Sequence, residues 1–208
     1  MRRVCAAVVW VSAMSLAGCT ADWAKQNDSS IYFEIGQIRA ISNTVTGGTS
    51  GNILYSDVSQ VINDDVEVDV NIFQKNPNIN ASSPNNHVFV ESYRVRFFRT
   101  DGRNTEGVDV PHSITGPIGS TRIHTPSSGT EQEITSTITL VRHQAKLEPP
   151  LRNMNGGGLQ VQLPPAPGFS GSVVLTTVAE ITIFGRTLTG SNLTATGRIQ
   201  VTFADFVD

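Results

Sequence analysis

Oxygen-bearing side chains crowd one short stretch of this sequence, Asp101-Gly102-Arg103-Asn104-Thr105-Glu106-Gly107-Val108-Asp109. Calcium takes six to eight oxygen ligands from loops of this kind, which makes Asp101, Glu106 and Asp109 candidate ligands. The spacing departs from the EF-hand pattern, because Arg103 occupies a ligand position. The competing reading is a hairpin turn in which Arg103 pairs with Glu106 or Asp109 and glycine supplies positive φ. Gly168-Phe169-Ser170-Gly171-Ser172 approaches a nucleophile elbow, but Ser172 stands where the second glycine belongs. The elbow also needs a strand before and a helix after, and here a proline-rich loop precedes. His87, His112, His124 and His143 lack metal-site spacing; His112 and His124 approach each other only if their segments pair. No catalytic residue, metal or dissociable cofactor is therefore expected, and the chain reads as a non-enzyme. Arg94, Arg96 and Phe98 fall on one phase of a presumptive strand. An exposed Phe beside two arginines is the composition of a binding hot spot, although a bulge that turns Phe98 into the core is the preferred reading.

The elements that must position these groups are strands. Val66, Val68, Val70 and Ile72 alternate with Asp65, Glu67, Asp69 and Asn71, and Leu193 to Phe203 repeats the pattern against Thr194 to Thr202. Successive side chains point to opposite faces of a strand, so each run has one buried and one wet face. Further strands are expected at Ile31 to Ile41, Val88 to Arg99, Glu133 to Lys146 and Ser172 to Arg186. Shorter ones are expected at Ile53 to Asp57, Gly107 to His112 and Thr121 to His124, while Val58 to Asp64 reads as a turn. The acidic stripe Asp65, Glu67 and Asp69 and the basic pair Arg94 and Arg96 are expected to pair across one sheet if their strands are neighbours. The last strand, with its Thr-rich outer face, can serve as an edge for a partner strand. Seven to nine short strands imply an all-β, antiparallel β-sandwich. Its architecture resembles immunoglobulin-like and fibronectin-III-like domains, without their Cys…Trp…Cys core. The irregular stretch 148–171, rich in proline and glycine, has no assigned role.

The N-terminus carries a different kind of signal. Arg2 and Arg3 precede an apolar run from Val4 to Leu16, and Leu16-Ala17-Gly18-Cys19 follows. The run is about 13 residues, short of the roughly 20 that cross a bilayer. A positive start, a short apolar core and small residues before the cut are the parts of a secretory signal. The stretch resembles a bacterial lipoprotein signal peptide with its lipobox. That resemblance implies cleavage before Cys19, a diacylglycerol on its thiol and an N-acyl chain on its amine. Two or three acyl chains anchor stably where one does not. Thr20 in place of an aspartate implies the outer membrane of a Gram-negative bacterium. The division expected is a signal peptide at 1–18, a lipidated tether at 19–30 and a β-sandwich at 31–208. Cys5 and Cys19 are the two cysteines of the chain, so the mature domain has no thiol for a disulfide. The formal charge of −3 becomes more negative once Arg2 and Arg3 are removed, which argues against nucleic acid as a partner. The expected partners are the membrane, through the lipid, and an envelope protein; a glycan, peptidoglycan or calcium ligand is the alternative. Replacing Cys19 with alanine is expected to abolish incorporation of labelled palmitate and release the chain from the membrane fraction; undiminished labelling would refute the lipobox.

Overall fold

Each long apolar alternation in the sequence forms a strand with its β-branched and aromatic residues turned inward. The structure, a computed structural model, describes residues 29–41, 51–75, 87–118, 132–154 and 174–206. The lipobox, most of the tether, the segment Thr121 to His124, Gly168 to Ser172 and most of the stretch 148–171 lie outside them. The strands are β1 (Ile31–Ile41), β2 (Ile53–Asp57), β3 (Asp64–Gln74), β4 (Val88–Phe98), β5 (Ile114–Pro117), β6 (Gln132–Val141), β7 (Leu175–Thr187) and β8 (Asn192–Ala204). One helical turn, α1 (His143–Lys146), and a 3-10 turn (Leu151–Met154) sit in the connection between β6 and β7. Among the described residues, no helix is long and apolar enough to cross a membrane.

Two sheets form the sandwich, one ordered β1-β3-β6 and the other β2-β8-β7-β4-β5. The pairs are antiparallel except β2 on β8, which is parallel. The order matches the immunoglobulin-like arrangement of A-B-E strands facing G-F-C strands, with β5 beside C and the first strand split between the sheets. Val66, Val68, Val70 and Ile72 of β3 share one buried cluster with Val95, Ile181, Ile183, Val201 and Phe203 of the facing sheet.

The register of β1 on β3 jumps between Ile35 and Ile38, a bulge that bends the strand. The displaced side chains reach the facing sheet at Gly197, where an added Cβ would lie 2.9 Å from both Ile35 Cγ2 and Ile38 Cδ1. A glycine in β8 therefore leaves the room that the bulge fills.

Several expectations are corrected. The strand expected to run to Lys146 ends at Val141, because Asn63 Oδ1 accepts the His143 backbone N–H at 2.9 Å and starts a helical turn. Gly107 to His112 is not a strand: Thr105 O accepts the N–H groups of Val108, Asp109 and Val110 and winds the segment into a turn. The short strand β5 follows instead. The strand β8 is not an edge along its whole length, since β7 covers one side and β2 covers residues 200–204 on the other. The acidic and basic stripes lie in different sheets, so they do not pair with one another.

The two sheets meet at a buried ion pair. Lys146 Nζ lies 3.0 Å from Asp64 Oδ2, with side-chain exposures of 0% and 2%. Lys146 also donates to Asp64 Oδ1 at 3.2 Å, and Ser56 Oγ donates to Oδ2 at 2.6 Å. Ser56 belongs to β2, Asp64 opens β3 and Lys146 closes α1, so three elements from both sheets and the β6–β7 connection converge on one carboxylate. Burial pushes the Asp64 carboxyl above the usual carboxylate range, and the Lys146 ammonium and the Ser56 hydroxyl pull it part of the way back. Removing one partner leaves an uncompensated buried charge, which costs about 3–5 kcal/mol. Urea denaturation of Lys146→Met is expected to show a loss of that order, and the double variant Lys146→Met/Asp64→Asn, which removes both charges, is expected to regain much of it. Equal losses in the two variants would mean that the charge pairing is unimportant.

Candidate interaction face and cleft

The outer face of the five-stranded sheet is built from the wet phase of β4, β7 and β8. On β4 that face carries Arg94, Arg96 and Phe98, together with Phe89, which a register shift between Val90 and Ser92 brings onto it, and on β7 it carries Glu180, Phe184 and Arg186. Phe98 stays on this face and is half-buried, which corrects the inward reading. The Arg96 guanidinium lies over its ring, 5.1 Å from the centroid. Ser92 is opposite Phe184 and Arg94 opposite Thr182, so Phe184 is diagonal to Arg94, whose guanidinium lies 5.8 Å from the ring centroid. Arg186 is opposite Phe89 and stacks on it at 5.9 Å. Each exposed cation–π contact contributes about 0.5–1 kcal/mol. That biases a long side chain toward the ring without freezing it, since arginine carries about 2 kcal/mol of rotamer entropy.

The arginines differ in how they are neutralised. Arg186 Nε lies 2.6 Å from Glu91 Oε1, and Arg198 Nη2 lies 2.8 Å from Glu180 Oε2. Arg94 and Arg96 have no carboxylate partner among the described residues, although Arg96 stands opposite Glu180 in the ladder. They are held over aromatic rings with their charge facing outward.

The loop of candidate calcium ligands is occupied by other partners. Asp101 takes a bidentate contact from Arg99 and the backbone N–H of Arg103. Asp109 pairs with Arg103 at 3.3 Å and accepts the Thr105 N–H. Glu106 accepts from the Ser113 N–H and hydroxyl. The three carboxylates thus face three different sets of donors. Among the described residues, no group of three His, Cys, Asp or Glu side chains is placed to hold a metal ion. Gly102 and Gly107 both adopt positive φ, the conformation that lets the loop turn twice.

Sequence reasoning missed a cleft of about 680 Å³ between β5 and α1, lined by Tyr93, His112, Thr115, Arg142, His143 and Glu148 among others. Arg142 Nη2 donates to the Thr115 carbonyl at 2.8 Å and ties the two walls together. Asn63 Oδ1 already accepts the His143 backbone N–H and lies 3.1 Å from His143 Nδ1. The cleft was hidden because its residues come from a segment with strand-like composition that turns helical.

The hydrogen bond from the Arg99 side chain, and then the Arg103 N–H, hold the Asp101 carboxyl below the usual carboxylate range. A group lowered in this way adds stability above its unfolded-state pKa and loses it as pH falls through the folded one. Arg99→Ala is expected to raise the Asp101 pKa toward the ordinary aspartate value in an NMR titration; an unchanged titration would show that Arg99 does not set it.

No protein-family model matches the sequence, and a search of curated proteins finds no match. Two solved structures resemble the chain. One, named as ApaA from Bordetella pertussis, is 12% identical over 83% of this chain and 94% of its own, with a TM-score of 0.35. The other, the structural-genomics target SoR45, is 11% identical over 84% of this chain and 87% of its own, also at 0.35. At that similarity neither carries an argument about fold or function.

Proposed function

We propose that this chain is a lipid-anchored cell-envelope protein whose β-sandwich is a non-catalytic interaction or assembly module. In this reading Cys19 carries the lipid, the outer membrane of a Gram-negative bacterium receives it, and residues 19–30 form the tether. The outer face of β4 and β7 is the docking surface. The observation that supports it is the pair Arg94 and Arg96, stacked on Phe184 and Phe98 and without a carboxylate partner among the described residues. Arginine and aromatic side chains are over-represented among residues that dominate binding energy. Stacking biases their positions before a partner arrives, which reduces part of the ordering cost of binding. The chemistry fits a partner with an acidic surface.

A second reading, a ligand-binding module, is favoured by the cleft between β5 and α1, where Arg142 and His143 line one wall. Its ligand would be small and anionic.

The two readings separate in one experiment. The full chain is crosslinked in native membranes, solubilised and purified, and the associated proteins are quantified. Arg94→Glu/Arg96→Glu is expected to lose an acidic partner that wild type retains at low salt, while still melting cooperatively with a melting temperature only a few degrees lower. Retention of every partner by that variant, together with ligand loss on Arg142→Ala/His143→Ala, would replace the docking reading with the cleft.

A further inference from the structure

The two outer faces of the sandwich carry opposite charge. On the face of β1, β3 and β6 the wet positions include Glu34, Asp65, Glu67 and Glu133, with the buried Asp69 between them, against a single arginine, Arg39. Arg39 Nη1 lies 2.7 Å from Asp69 Oδ2, and Nε lies 3.3 Å from Glu67 Oε2. Glu34, Asp65 and Glu133 have no cationic partner among the described residues. On the opposite face, Glu91 and Glu180 are paired with Arg186 and Arg198, which leaves Arg94 and Arg96 uncompensated. Each face therefore keeps a surplus of one sign after its own ion pairs are counted.

The uncompensated charges are close-set on both faces. In the first sheet, Glu34 is opposite Asn71 and Asn71 is opposite Glu133, so two carboxylates flank a neutral residue in one row of two inter-strand steps, about 9.6 Å. In the second sheet, Arg94 and Arg96 stand one two-residue pitch apart on β4, about 6.8 Å.

The geometry points to a second copy of this chain as the partner, with the acidic face of one sandwich set on the arginine face of the next. This rests on the docking-face reading above and names its partner. Such a contact is head-to-tail and leaves a free face at each end, so it builds open stacks rather than closed dimers unless a rotation closes them. The smaller, three-stranded face measures about 36 Å by about 15 Å, an area at the low end for specific interfaces. Association is therefore weak and salt-sensitive in solution. It is favoured when a tether confines the copies to one surface.

The test uses two differently tagged copies of the full chain, co-purified in non-ionic detergent. Salt is set at about 0.01 M or about 1 M, where the screening length is ~30 Å or ~3 Å. Wild-type copies are expected to co-purify at low salt and to separate at high salt. Arg94→Glu/Arg96→Glu paired with itself is expected to lose the association, and so is Glu34→Lys/Glu133→Lys paired with itself. Mixing the two variants is expected to restore it, because each then offers the other a complementary face. Wild-type copies that stay apart at low salt would overturn the proposal, as would reversed variants that self-associate like wild type or a mixture that fails to recover. Copies that stay apart while Arg94→Glu/Arg96→Glu still sheds a salt-sensitive envelope partner would overturn self-association and keep the docking face.

Discussion

The carboxylate of Asp64 is where the sandwich is locked. Ser56 reaches it from the five-stranded sheet, Asp64 itself opens the central strand of the other sheet, and Lys146 arrives from the β6–β7 connection 82 residues later. A buried ion pair of this kind adds little net stability over an apolar group of the same shape. What it does is penalise any arrangement in which one member is buried without the others. The placement of β2 on the second sheet, the point at which β6 stops and the seating of α1 are three aspects of that one requirement. With no cysteine after Cys19, the lock takes the place a disulfide holds between the sheets of many β-sandwiches.

The lock also positions the surfaces. By fixing α1 beside β5 it sets the walls of the cleft, and by fixing β2 it completes the sheet whose outer face carries Arg94 and Arg96. That face owes its shape to alternation alone: the phase that buries Val95 and Phe97 presents Arg94, Arg96 and Phe98 outward. Stacking on Phe98 and Phe184 biases the positions of the arginines without neutralising them. The opposite face shows the contrary arrangement, with Arg39 drawn onto Glu67 and Asp69 and other acids left over.

Much of the fold was legible because burial imposes a period of two. The bounds of β1 and β2 and the inward phases of β3 and β8 follow from where Val, Ile, Leu and Phe recur. The failures share one cause, which is that short-range composition does not report partners distant in sequence. The segment after Val141 is strand-like in composition, but Asn63 and Asp64 capture His143 and Lys146 and force a turn. Phe98 looked like a core residue because its surface role depends on the guanidinium of Arg96 above it. Pairing of the acidic and basic stripes assumed neighbouring strands, and sheet assignment is a tertiary property. The hairpin reading of the Asp101 to Asp109 loop was accessible from Arg103 alone, since a cation among the oxygens called for a carboxylate partner, Glu106 or Asp109, and the fold supplies Asp109.

The five-stranded sheet ends in two short strands, β2 with five residues and β5 with four, the latter closing at Pro117. Long, flat, unpaired edges are templates for amyloid-like growth, and short or proline-bearing strands blunt them. With both flanks of its largest sheet truncated, the folded domain offers little there for a stray strand to extend, and edge-to-edge growth is left to the longer strands β1 and β6 of the other sheet.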